Sequence, residues 1–149
     1  MTFLAALEER YPATAYAVLP EVANATGHAA SRTADALVVG FWPSRGMEIE
    51  GFEVKSARSD WLRELKDPSK AEVFYRFCAK WWMVETTPDI IKPDELPPKW
   101  GLLRLTNGKL KTLVKAAPLT PETPKRAFWT SLIRSTVRRY GEKGKNDDA

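Results

Sequence analysis

The sequence has little of the two residue types that most often hold metals or form cross-links. Its 149 residues include one cysteine, Cys78, and one histidine, His28. A single cysteine excludes an intrachain disulfide and every cysteine-rich zinc site, and a single histidine excludes a two-histidine facial triad. We therefore expect a reducing, cytoplasmic setting, with Cys78 in the core and His28 on a polar loop.

Long hydrophobic runs are also missing. No apolar stretch approaches the ~18 residues that a membrane span needs, and the first residues lack the basic region of a secretory signal. We therefore expect no membrane partner. The composition, 44% hydrophobic and 28% charged, is that of an ordinary globular protein. The length predicts one domain over residues 1–140, and the polar end predicts a disordered tail over residues 141–149.

Positive charge is concentrated near the C-terminus. The whole chain carries a net charge of +4, whereas residues 123–145 contain seven basic residues and one acid. The rest of the chain is therefore slightly acidic. A mild basic excess of this kind favours a polyanionic partner without identifying one.

This basic segment reads as a final helix from Thr123 and Pro124 to about Tyr140. Four large residues recur there at helical spacing and are predicted to face inward: Trp129, Ile133, Val137 and Tyr140. Arg134 and Arg138 share the opposite face. They could follow a phosphate backbone, or they could form an ordinary solvated surface.

The remaining pattern predicts an α+β (α/β) fold, a mixed central sheet flanked by helices. The element order is α-β-β-β-α-β, followed by a β-hairpin at Asn107-Gly108 and the final helix. Helices are expected over Phe3–Tyr11 and Ser59–Lys66, and from Ser69 behind a Ser69/Glu72 capping box. Strands are expected over Tyr16–Val22, Thr33–Trp42, Met47–Ser56, Trp81–Thr86, Trp100–Thr106 and Lys109–Val114.

Charged residues interrupt the third predicted strand. Side chains alternate along a strand, so Glu53 and Lys55 project to one face, and Phe52 and Val54 to the other. An acid and a base in a central strand are costly unless they are paired, bound to metal or near solvent. If the preceding strand pairs with this one, Asp35 can approach Glu53.

Two converging carboxylates repel each other, and a divalent cation relieves that repulsion. Mg²⁺ takes one or two carboxylates, several waters and a phosphate. Lys55 could then orient or deprotonate a bound water. The alternative is a surface ion pair on an exposed sheet face. A second acid-x-lysine copy, Glu64-Leu65-Lys66, falls in a helical segment, where residues two apart diverge, and is not expected to build the same site.

Asp35 followed by Glu53-Val54-Lys55 at a hairpin end resembles the signature of the PD-(D/E)XK nuclease superfamily, and the element order resembles its restriction-endonuclease-like core. Between Arg32 and Val84 the chain reads R-x-A-D-A-L, F-E-V-K-S-x-x-S-D-W, D-P-S-K and Y-x-x-F-C-x-K-W-W-M-V. This pattern is similar to the MmcB-like DNA-repair proteins of that superfamily. The likeness is close over about a third of the chain.

The resemblance implies a metal-dependent nuclease that acts on DNA in repair or processing. It implies Asp35 and Glu53 as ligands of Mg²⁺ or Mn²⁺, the Val54 carbonyl as a further ligand, and Lys55 as the catalytic lysine. It also allows a homodimer, since nuclease domains this small often pair to cut both strands. The superfamily often adds an acid from the first helix, and Glu8 and Glu9 are both open for that role.

Other residues have two readings each. Arg32 could hold a phosphate or pair with an acid. Lys70 and Asp60 could support the site, or they could be a solvated residue and a local cap. Trp42, beside a turn, is the aromatic residue to consider for nucleic-acid contact. Trp81, Trp82 and Trp129 are expected to pack in the core.

Three functions remain open at this stage. The first is metal-dependent hydrolysis of DNA phosphodiester bonds. The second is a DNA-binding module of the same fold with little or no turnover. The third is an interaction protein in which the acids and the lysine merely pair.

Overall fold

A six-stranded sheet organises the structure. The computed structural model describes residues 2–147, apart from the side chains of Ala29 and of residues 142–147. Its strands are β1 (Tyr16–Ala23), β2 (Thr33–Gly40), β3 (Ile49–Lys55), β4 (Lys80–Glu85), β5 (Gly101–Thr106) and β6 (Lys109–Val114). Its helices are α1 (Phe3–Arg10), α2 (Arg58–Leu65), α3 (Glu72–Tyr75) and α4 (Arg126–Asp147).

The strands are neighbours in chain order, and the sheet is mixed. β1, β2 and β3 form an antiparallel meander, β4 and β5 continue it in parallel with β3, and β6 returns antiparallel to β5. α2 and α3 lie in the crossover that joins parallel strands β3 and β4. The predicted fold class and element order are thus confirmed. At the β5–β6 turn, Asn107 and Gly108 have φ of 52° and 74°, as a two-residue hairpin of this type needs.

Each face of the sheet has its own apolar core. One face, called here the α2 face, packs against α2, α3 and α4 through residues such as Trp61, Phe74 and Phe128. The other, the α1 face, carries Phe52 and packs against Leu7 of α1. The two cores explain why β4 is buried on both sides, with its charged residues, Lys80 and Glu85, only at the strand ends.

Gly51 sets the spacing between the sheet and the buried indole of Trp81. A Cβ at position 51 would lie 2.2 Å from Trp81 Cζ3 and 3.3 Å from the Cys78 sulfur. No side chain larger than hydrogen fits there without displacing a wholly buried ring. The close contact fixes β3 against β4 two residues before Glu53.

The helical crossover differs from its prediction. Pro68–Ala71 forms a 3₁₀ turn, and α3 is a single turn from Glu72 to Tyr75. The Ser69/Glu72 capping box is wrong, because the Ser69 hydroxyl donates to Asp67 instead. The predicted core position of Cys78 is confirmed, since Cys78 is buried together with Ala71 and Phe74.

α4 is rotated relative to its prediction. The four residues expected inward, Trp129, Ile133, Val137 and Tyr140, are 43%, 61%, 67% and 39% exposed. Phe128 and Leu132 are buried in their place. Hydroxyls help to face this side inward, because Ser131 donates to the Ala23 carbonyl and Thr136 to the Leu132 carbonyl.

The end of the chain also differs from expectation. α4 continues through residues 141–147, where we predicted a disordered tail. No proline interrupts this stretch, so only two glycines disfavour the helix. Residues 148 and 149 lie outside the described range. No helix among residues 2–147 is both long and apolar enough to cross a membrane.

Replacement of Gly51 by alanine tests the packing between β3 and β4. Because the added methyl overlaps Trp81, we expect Gly51→Ala to lower the free energy of unfolding by about 1–3 kcal/mol. Urea denaturation measures the change. Gly141→Ala is the matched control, since open space surrounds Gly141 and alanine favours a helix. Equal stability of Gly51→Ala and the wild type would contradict this account.

Candidate active site

Asp35 and Glu53 meet where the ladder between β2 and β3 ends. The last paired residues of these strands are Ala36 and Phe52. One further step of the same antiparallel register sets Asp35 opposite Glu53. Asp35 Oδ2 accepts a 2.7 Å hydrogen bond from the Val54 N–H, so a carboxylate replaces the next backbone partner. The predicted approach of Asp35 to Glu53 follows from this register.

Alternation along β3 places the polar residues as predicted. Phe52 lies in the core of the α1 face, and Val54 packs against it. Glu53 and Lys55 therefore project to the α2 face, where α2 covers the strand. Asp35, Glu53 and Lys55 are all partly exposed, so solvent reaches each of these side chains.

Glu53 holds a proton near neutral pH. Burial, followed by the neighbouring Asp35 carboxylate, raises the pKa of Glu53 from 4.5 to about 8. The Lys55 ammonium opposes this shift, and a hydrogen bond with Asp35 adds to it. Two ionised carboxylates this close repel each other, so protonation of one of them or binding of a cation is favoured.

Lys55 is held by an acid that the sequence analysis did not select. Lys55 Nζ lies 3.5 Å from Glu64 Oε2, and the two side chains are only 13% and 7% exposed. Arg32 Nη2 lies 3.4 Å from both oxygens of the same carboxylate. Arg32 thus takes the acid-pairing reading that we left open.

Glu64 joins the cluster from the last turn of α2. The expectation that Glu64-Leu65-Lys66 would not build a second site agrees with its helical position, but Glu64 alone contributes to the first site. The spacing of Glu64 from Trp61 could have predicted that Glu64 faces the sheet, because residues three apart share a helix face and Trp61 is buried. We call the set Asp35, Glu53, Lys55, Glu64 and Arg32 the acidic cluster.

The neighbouring strand does not compete for Lys55. Glu85 pairs in register with Lys55 and is wholly buried. Its two oxygens are already engaged, one by the Ile91 N–H at 3.0 Å and the other by Arg104 Nε at 2.7 Å. Lys55 therefore pairs with Glu64 and not with Glu85.

The donor set suits a hard divalent cation of modest ligand demand. The proton between Asp35 and Glu53 occupies a place that a cation can take, because either removes the repulsion between the two carboxylates. The Lys55 carbonyl accepts from the Thr86 N–H on the β4 side, so alternation turns the Val54 carbonyl towards Asp35. Within residues 2–147 no group of three or more His, Cys, Asp or Glu could hold a metal. A cation here would be coordinated by two carboxylates, this carbonyl, water and substrate oxygens, a ligand set that is typical of Mg²⁺.

The remaining predicted residues lie outside the cluster. Lys70 is exposed on the Pro68–Ala71 turn, and the exposed Asp60 pairs with Arg63. Glu8 pairs with Arg139 of α4. Glu9 lines a shallow cavity beside Arg10 and Lys109, so the first helix sends neither acid to the cluster among the described contacts.

Arg134 and Arg138 line a separate polar cavity of about 350 Å³. Its other wall is the loop after β1, from Ala25 to Ala30, with Glu21 at the rim. In the β1–β2 register, Ala23 pairs with Thr33, so this cavity and Asp35 lie at the same end of the sheet. Trp42 is 54% exposed at the opposite end of β2, and its indole donates to the Thr14 carbonyl.

Comparison with known proteins supports the fold. No protein-family model matches the chain, and no curated protein matches it. A solved structure, the SPO1766 protein of unknown function from Silicibacter pomeroyi, matches with a TM-score of 0.62 over 93% of this chain and 84% of that one. The two sequences are 19% identical, so the likeness concerns the fold alone.

The raised pKa of Glu53 predicts a loss of stability at alkaline pH in metal-free protein. The unfolded state releases this proton near pH 4.5 and the folded state near pH 8, so stability falls as pH rises between these values and stays low above them. Glu53→Gln keeps the neutral form, so we expect a flatter profile and greater stability than the wild type above pH 8. Thermal melts in a chelator at a series of pH values measure this.

The exposed carboxylate of Asp60 provides the control for this experiment. Asp60→Asn should leave the wild-type pH profile unchanged. A Glu53→Gln profile that follows the wild type across the same range would show that Glu53 is ionised throughout.

Proposed function

We propose that this protein hydrolyses phosphodiester bonds of DNA with Mg²⁺ or Mn²⁺ held by Asp35 and Glu53. The observation that carries the proposal is the pair of carboxylates on the same sheet face as Lys55, with all three side chains partly exposed to solvent. The resemblance to the PD-(D/E)XK nucleases, and to MmcB-like DNA-repair proteins among them, supports the same chemistry.

The bound cation supplies a water of lowered pKa and neutralises charge that develops on the scissile phosphate. Asp35 has a second task, because it also fixes the end of β3 through the Val54 N–H. Glu53 gives up its proton when the cation binds, so binding strengthens as pH rises towards the pKa of Glu53.

Lys55 is the residue of the cluster that can hold the attacking water or a phosphate oxygen. Its ammonium projects to the same sheet face as Glu53. A charged side chain stabilises a developing charge most strongly where little water surrounds it. Glu64 acts through Lys55 and is a positioning residue. Arg32 restrains Glu64 in turn, so that the lysine is presented from one direction.

The polar cavity of Arg134 and Arg138 offers a second point of contact for the DNA backbone. Both arginines are exposed on α4, and the cavity lies at the same end of the sheet as the acidic cluster. Guanidinium groups bind phosphate oxygens in a forked geometry. Lys70, on the turn after α2, is a further candidate for phosphate contact.

One observation favours the second candidate function, a DNA-binding module with little turnover. Lys55 Nζ lies 3.5 Å from Glu64 Oε2, so the lysine is already paired with an acid. If DNA and cation do not release the lysine from this ion pair, binding remains and cleavage does not occur. The third candidate, an interaction protein, predicts that Mn²⁺ causes no thermal shift.

The catalytic proposal is tested by replacing Asp35 and Lys55 separately. Supercoiled plasmid and branched DNA are incubated with Mg²⁺ or Mn²⁺, and the products are resolved on gels. We expect cleavage by the wild type and at least about 100-fold slower cleavage by Asp35→Asn and Lys55→Met, since each removes a charged group from the transition state. Asparagine keeps an oxygen for the Val54 N–H, which limits structural damage.

Asp60→Asn serves as the matched control, because it removes an exposed carboxylate on the same helix as Glu64 and should cut as the wild type does. Circular dichroism checks that all variants fold. Cleavage that survives both substitutions would exclude this cluster as the active site. DNA binding by the wild type without cleavage under either metal would favour the binding module.

The role of the polar cavity is tested through the salt dependence of DNA binding. Arg134→Ala combined with Arg138→Ala should weaken binding and reduce the slope of log K against log salt by about 2, since each lost phosphate contact removes about 0.9. Lys109→Ala combined with Lys111→Ala is the control, because it removes the same charge from the exposed edge strand β6. Equal slopes in the two double variants would contradict a specific role for the cavity.

A further inference from the structure

α4 exposes a stripe of large apolar residues that a helix of a monomer would normally bury. Trp129, Ile133 and Val137 are between 43% and 67% exposed, and Tyr140 is 39% exposed. The stripe follows i, i+4, i+8 and i+11, so it runs along one side of the helix for about 16 Å. Arg134 and Arg138 lie on a different side, around the polar cavity.

A groove lies between this stripe and the sheet. Its volume is about 540 Å³, and no charged side chain lines it. The sheet side is formed by α2-face residues of β1 and β2, including Ala17, Leu19 and Val39. Phe41, 46% exposed, closes the groove opposite the helix, and Trp42 follows it with its indole bonded to Thr14.

The exposed area is that of one half of a stable protein interface. We define the apolar surface as Phe41, Trp42, Trp129, Ile133, Val137 and Tyr140. These side chains are on average about half exposed. With about 200 Å² for each large side chain, they present roughly 600 Å². A monomer seldom exposes an apolar patch above about 600 Å², whereas a standard interface buries about 1,200–2,000 Å² over its two halves.

We propose that the apolar surface binds a second copy of this chain, in a twofold dimer whose α4 helices pack antiparallel. A twofold interface uses one patch twice, so the patch must be complementary to itself. This patch offers a protruding helix ridge beside a groove of matching apolar character. Each copy's ridge can therefore enter the other's groove, whose lining contributes no charged side chain.

The spacing of the stripe indicates where the twofold axis passes. Trp129 and Val137 are each four residues from Ile133, so an axis near Ile133 brings Trp129 onto Val137 of the partner subunit and the reverse. Ile133 then faces its own copy. The polar cavity with Arg134 and Arg138 stays at the margin of the interface, and the acidic cluster lies outside it. The dimer does not depend on the proposed nuclease activity.

Molar mass in solution tests the proposal. Light scattering or sedimentation of the full chain, from about 1 µM to about 100 µM, brackets a micromolar dissociation constant. We expect a wild-type mass that rises to twice the 16.8 kDa of one chain. Ile133→Asp should keep 16.8 kDa throughout, because it places two carboxylates at the axis. Leu62→Asp is the matched control, since Leu62 is 41% exposed on α2, away from the apolar surface. The Leu62→Asp protein should still dimerise.

Cross-linking tests the position of the twofold axis near Ile133. Mild oxidation should link Ile133→Cys into a disulfide-bonded dimer and should leave Leu62→Cys monomeric on a denaturing gel. The native Cys78 is buried and does not interfere. A wild type that is monomeric at the highest concentration, or a dimer that survives Ile133→Asp, overturns the proposal. The same holds for an intact dimer of Ile133→Cys that does not cross-link.

Discussion

The structure of the functional end of the sheet depends on the repulsion between two carboxyl groups that the β2–β3 register sets opposite each other. Because Ala36 pairs with Phe52, the next residues of the two strands, Asp35 and Glu53, lie opposite each other. A proton or a cation relieves this repulsion, which together with burial raises the pKa of Glu53. The site is therefore set by backbone pairing and needs no flexible loop to assemble it.

Charged side chains from other elements surround the Asp35–Glu53 pair and partly balance its charge. Glu64 comes from α2, and it binds Lys55 of β3 and Arg32 of the loop before β2. Two elements, β3 and the loop before β2, thus contact one carboxylate of α2. Arg58 and Glu95 form another ion pair at 2.7 Å, which ties the segment between β4 and β5 to α2. Arg58 holds the pKa of Glu95 at about 2, well below its usual value.

The fold was largely predictable, because its strands carry local signals. The faces of β3 followed from the alternation around Phe52 and Val54. The Asn107-Gly108 turn predicted the hairpin between β5 and β6. The pairing of Asp35 with Glu53 followed from one assumption, that consecutive strands pair. Glu64 could not be found in this way, because its position depends on how α2 docks on the sheet, which no local pattern states. The orientation of α4 was wrong for a related reason. Its inward side mixes Phe128 and Leu132 with hydroxyl residues, so the apolar stripe marks the outer side. The binding of DNA and of metal remains a proposal.

The hydrogen bond from the Val54 N–H to Asp35 gives one side chain two unrelated obligations. The side chain accepts a hydrogen bond from the backbone at 2.7 Å, and under the proposed function it also carries negative charge to a cation. Asparagine meets only the first requirement, and the extra methylene of glutamate shifts the acceptor away from the amide. Substitution at this position would therefore be limited by two separate requirements. A relative without the proposed chemistry would still have a structural reason to keep an oxygen here, so a polar residue at position 35 is not in itself a record of activity.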